Sequence, residues 1–130
     1  MAGSALRDFI RTYDLCDKGV DAITQDDAGR VRFVFELFHC DDPHRSDESM
    51  DYRLAATFRL EDVVLHEGVL LHEEGDWLGT ILDVQTQDGP LRLGIEWRSL
   101  VDQSYSWTSL SLCGGPLQAE EIVTERRRER

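Results

Sequence analysis

Four histidines, three cysteines and 26 acidic residues are the side chains with which this 130-residue chain could build a reactive site. Their densest grouping is His39-Cys40-Asp41-Asp42-Pro43-His44. All three residue types ligate transition metals, and a loop would leave coordination positions open. The spacing fits no zinc pattern, however, and neighbours at a strand end point to opposite sides. His66 and His72 stand in a second acidic stretch, beside Glu67, Glu73 and Glu74. Two histidines and two carboxylates drawn from both stretches would make a small β-barrel metal- or ligand-binding protein, or an enzyme. The blander arrangement, histidines at strand ends among solvated acids, is favoured. No metal, cofactor or catalytic residue is assigned.

Nucleophilic chemistry finds no better support. The strained Gly-x-Ser-x-Gly elbow is missing. Ser99, Ser104, Ser106, Ser109 and Ser111 read as exposed sheet positions. Gly114-Gly115 is followed by Pro116, which lacks the amide donor a phosphate cradle needs. Cys16, Cys40 and Cys113 form no Cys-x-x-Cys pair and read as reduced thiols of a cytoplasmic protein. The expectation is a protein that is not an enzyme.

Charge carries more information. The formal net charge is −12, and the only lysine is Lys18. Nucleic acid and anionic membranes are disfavoured, because both draw their affinity from cations. A basic protein is the partner such a chain suits. Eight acids and no base lie between Arg59 and Arg92, and residues 41–51 hold five more acids. If the loops bearing them share one end of a sheet, the field there speeds encounter with a cation and weakens with salt. The candidate partner-binding residues are therefore Asp41, Asp42, Asp47, Glu48, Glu73, Glu74 and Asp76. Trp107, set in the polar run Ser104-Tyr105-Ser106-Trp107-Thr108-Ser109, is the candidate anchor, since Trp and Tyr concentrate binding energy. Trp77, Trp97 and Tyr105 are expected in the core.

The elements that must position these residues follow from periodicity. Leu6, Phe9, Ile10 and Tyr13 recur at helical spacing, predicting a helix over 4–15 with Ser4 as N-cap. After Gly19 the period becomes two. Strands are expected over 20–25, 31–38, 52–60, 77–86, 91–98, 104–113 and 117–123; residues 61–74 read either as two short strands about Gly68, which their β-branched content favours, or as one strand after a helical turn. Phe33, Phe35, Leu54, Phe58, Leu82, Leu93 and Ile95 are the expected core. Turn signals recur about every ten residues, and no helix separates the strands, so parallel βαβ units are excluded. The expected fold is mainly β (α+β): an antiparallel sheet, sandwich or open barrel of about seven strands with one N-terminal helix. Residues 1–124 form a single domain and 125–130 a charged tail. No apolar run approaches the ~18 residues that span a membrane, and residues 1–8 do not read as a signal peptide.

The order of elements resembles the small acidic immunity proteins of bacterial polymorphic toxin systems. Tyr13-Asp14 leads into Val20-Asp21-Ala22-Ile23, followed by the strand Val31 to Leu37, then Phe58-Arg59-Leu60-Glu61-Asp62-Val63-Val64 and a closing Leu117-Gln118-Ala119-Glu120-Glu121-Ile122. Several members carry His-Asp where this chain has Tyr13-Asp14. The resemblance implies a non-enzymatic protein that neutralises a basic toxin domain, and it transfers no site residue. A subunit that dimerises through an edge strand is a third reading.

Overall fold

A computed structural model describes residues 2–13, 15, 18–36, 50–86 and 89–125. Asp41, Asp42, Asp47, Glu48, His39 and His44 lie outside the described residues, as does the tail over 126–130.

The helix α1 (Ala2–Thr12) begins two residues before Ser4, so Ser4 sits in its first turn and does not cap it. Ala2 and Ala5 favour that earlier start. The helix stops at Thr12, whose hydroxyl donates back to the Asp8 carbonyl at 2.7 Å.

Eight strands follow: β1 (Gly19–Gln25), β2 (Val31–Glu36), β3 (Met50–Phe58), β4 (Val63–Gly68), β5 (Trp77–Gln85), β6 (Leu91–Ser99), β7 (Tyr105–Leu112) and β8 (Gln118–Glu125). They form one antiparallel sheet in the order β4-β7-β6-β5-β1-β2-β3-β8. The mainly-β expectation with a single N-terminal helix holds.

This sheet is open but must be strongly curled. Strands β3 and β4 stand six places apart in the order, about 29 Å in a flat sheet. Yet Phe58 and Val63 are joined by a single 3-10 turn over Leu60–Asp62, whose five steps reach at most ~18 Å. The link from β7 to β8 imposes the same demand: the Cys113 amide donates to Asp62 and the Leu117 amide to Thr57. Curling brings Phe33, Phe35 and Phe58 into one core with Leu93, Ile95, Trp97, Leu110 and Leu112. The helix adds Leu6 and Phe9 to it, Phe9 meeting Phe58 edge-on at 5.7 Å. Each such side chain contributes roughly 1.5–3 kcal/mol when fully buried.

Three expectations fail here for local reasons. The β5–β6 register slips between Ile81 and Asp83, so Leu82 is the extra residue of a bulge and is 52% exposed. Before the bulge Gly79 and Ile81 already point inward, while Leu78 points out. Residues 69–71 form no second strand after Gly68. That glycine has φ +82°, and a Cβ on it would lie 1.8 Å from the Trp107 carbonyl oxygen, so only glycine turns the chain there. Finally, Ser99, Ser109 and Ser111 are buried, not exposed.

Candidate functional site

Beyond Gly68, residues 69–76 run as a strap from β7 across to β1. The Val69 amide donates to Trp107, and the Thr108 hydroxyl donates to the Val69 carbonyl. Backbone bonds of 2.9 Å run both ways between His72 and Ile23. The His72 ring is buried, stacks on Trp97 at 4.1 Å with planes 5° apart, and meets Trp77 edge-on at 5.1 Å. Its Nε2 lies 3.0 Å from the Ser106 hydroxyl. Burial pushes the His72 pKa below the ordinary histidine value, so the ring is neutral at physiological pH.

The strap delivers Glu73, Glu74 and Asp76 to the end of the sheet where β5 starts. There the Leu100 amide donates to the Asp76 carbonyl at 2.9 Å, tying this turn to the β6–β7 turn. The latter is built on side-chain bonds. Ser99 Oγ accepts from the amides of Val101 and Asp102, and Asp102 Oδ1 accepts from the Ser104 amide and hydroxyl at 3.0 and 2.6 Å. Those bonds, the Ser104 hydroxyl first, lower the Asp102 pKa to about 2.

Two tied turns therefore present Glu73, Asp76 and Asp102 beside exposed Leu100, Val101 and Tyr105. Val101 is 79% and Tyr105 69% exposed, so Tyr105, expected in the core, instead stands on the outer face at the start of β7. Next to them on the outer face lies a shallow depression of ≈ 230 Å³ lined by Leu78, Thr80, Glu96, Arg98 and Tyr105. Trp107 continues that face. It pairs with Glu96, and a Cβ on Gly94 would come within 3.1 Å of its ring, so the indole lies over that glycine and is half-buried.

Of the residues singled out in the sequence, Glu73, Asp76 and Trp107 are brought to this end and its adjoining face. Glu74 is brought there too but is tied internally: its carboxylate lies 3.0 Å from Arg53 Nη1, and Arg53 Nε lies 3.2 Å from Asp21. Trp97 is wholly buried and Trp77 half-buried. The two described histidines do not converge. His66 is exposed and pairs with Ser111, whereas His72 pairs with Ser106. Those serines are five residues apart on the same strand and so face opposite ways. Among the described residues, no group of three or more His, Cys, Asp or Glu is placed to hold a metal.

Sequence reasoning missed Leu100, Val101 and Asp102. The signal available was Asp102-Gln103-Ser104, an Asp two residues before a Ser, which marks an Asx-type turn. Among the described residues, no helix is long and apolar enough to cross a membrane. Set against protein-family models, curated protein sequences and solved structures, the chain matches none of them.

Proposed function

We propose that this protein is a non-enzymatic binding protein of the cytoplasm that docks a basic protein partner on the end of the sheet formed by residues 71–78 and 98–105. One observation carries the reading: the Leu100–Asp76 hydrogen bond joins two turns that together carry three exposed carboxylates, Glu73, Asp76 and Asp102, and exposed Leu100 and Val101, with exposed Tyr105 at the start of β7. Apolar anchors inside a charged rim are how interfaces divide affinity from steering. A toxin domain of net positive charge is the partner class that the immunity-type resemblance supplies, and binding over its functional surface would neutralise it.

The test is capture from the source cells on immobilised wild-type protein and on a Glu73→Lys, Asp76→Lys variant. Capture of a basic protein by the wild type, with association slowed about tenfold by the reversals, supports the reading. So does an on-rate that falls as salt rises from ~0.05 to ~0.5 M, because the Debye length shrinks below ~5 Å. A partner indifferent to both salt and the reversals overturns the electrostatic docking. A bound small molecule with no protein partner overturns the reading itself.

A further inference from the structure

At the far end of β5 and β6, α1 leaves a cleft of ≈ 490 Å³ against the β5–β6 turn. Among the described residues, its apolar wall is Leu6, Ile10, Pro90 and Cys113, and the charged residues lining it are Arg7 and Arg11. Ile10 also lines a neighbouring recess of ≈ 170 Å³, which is otherwise formed by Tyr13, Leu15, Val84 and Leu91. We infer that this cleft binds an amphipathic anion, a free carboxylate carrying an alkyl chain.

Charge complementarity selects that occupant. The whole chain carries −12, yet no carboxylate is among the described lining residues of either recess; Asp88, between the lining Thr86 and Gly89, lies outside the described residues. Arg7 and Arg11 stand one helical turn apart, so their guanidinium groups share one face of α1. Neither makes a hydrogen bond or ion pair with a described residue, and like charges at this spacing repel until an anion lies between them. Guanidinium forks match a carboxylate with two parallel bonds. Among the described residues, the recess that shares Ile10 is lined by apolar and aromatic side chains, where an alkyl chain leaves water. The larger volume lies within the ~300–1,000 Å³ usual for small-molecule sites. An ordinary anion would use the arginines and leave the recess unfilled, and a neutral chain would do the reverse. Only a molecule with both parts matches both features.

The test uses decanoate as probe, with decanol lacking the charge and acetate lacking the chain. Binding is read by titration calorimetry, and its place by alkylation of Cys113, an exposed free thiol in the cleft wall, mapped by peptide mass. Decanoate is expected to bind and to slow Cys113 alkylation severalfold, while decanol and acetate at the same concentration do neither. Arg7→Gln with Arg11→Gln is expected to weaken decanoate at least about tenfold. Both arginines are exposed, so the variant folds, and an unchanged melting temperature documents this. Equal binding of decanol or acetate overturns the assignment. So does an unchanged affinity in the double variant, Cys113 left unprotected, or no saturation below ~1 mM.

Discussion

The two ends of the β5–β6 hairpin carry opposite chemistry on one short scaffold. Where β5 begins, Glu73, Asp76 and Asp102 project from turns fixed by hydrogen bonds, and the apolar side chains beside them stand out in water. Where β5 ends, apolar side chains line a recess, and the adjoining cleft is lined by Arg7 and Arg11 beside further apolar groups. Nine residues of strand separate the two, about 30 Å. One end has the form of a surface for a macromolecule and the other that of a pocket for a small one. Net charge alone would assign both ends to the same kind of partner. The position of the charge relative to the apolar groups distinguishes them.

The largest expected effect breaks the acidic end while sparing the cleft. Gly68→Ala forces a side chain onto positive φ and into the Trp107 carbonyl. A loss of about 3 kcal/mol, or roughly 10 °C in melting temperature, is expected. Hydrogen exchange should show residues 69–76 released first, with α1 still protected. Uniform loss across both regions would mean that the strap is not a separate unit.

A pH titration of stability separates the ends more finely. His72 is neutral in the folded chain with a lowered pKa, so the unfolded chain binds its proton more tightly. Its contribution is complete above the unfolded value near pH 6.5 and is lost progressively as pH falls below it, by at most about 1.4 kcal/mol per pH unit. His72→Phe keeps an aromatic ring against Trp97 and should flatten the curve between pH 7 and 5. An unchanged slope in that variant, measured by urea unfolding, would assign the titration elsewhere.

Smaller effects divide the acids of the strap. Glu74→Lys sets a cation against Arg53 and should lower stability by up to about 1 kcal/mol, the pair being partly exposed. Glu73→Lys and Asp76→Lys should each stay within about 0.5 kcal/mol, since they face solvent. Equal costs for all three, in chemical denaturation, would erase the distinction between the internally tied acid and the two presented ones. Arg7→Gln and Arg11→Gln should likewise leave stability within about 0.5 kcal/mol.

How much of this was legible follows from how far each signal reaches along the chain. Alternation over six to nine residues is a local property, and it placed Phe33, Phe35, Leu54, Phe58, Leu93 and Ile95 in the core correctly. It failed at Leu82 because alternation does not say which face turns inward: Gly79 and Ile81 take the core side of β5, and the bulge then returns Val84 to it, which no periodicity signals. The strap escaped for a different reason. Val69-Leu70-Leu71 looks like a strand, but a single bridge at His72 is all that β1 offers it. The burial of His72 depends on Trp97, Trp77 and Ser106, residues 5 to 34 positions away. At the acidic end, Glu73 and Asp76 were visible as charges. Their grouping with Leu100 and Val101 depends on a long-range backbone bond that no composition reveals. The cleft was hidden because Arg7 and Arg11 read as the polar side of an amphipathic helix until Pro90 and Cys113 are set opposite them.

The most direct measurement is an amide footprint of the bound state. The 15N-labelled protein is titrated with the basic partner captured from the source cells, and its backbone amide shifts are followed. The account predicts perturbations concentrated in residues 71–78 and 98–105, extending to Trp107, with α1 and residues 89–91 unmoved. Perturbations confined to α1 and the cleft, or to β8 at the opposite edge of the sheet, would contradict it.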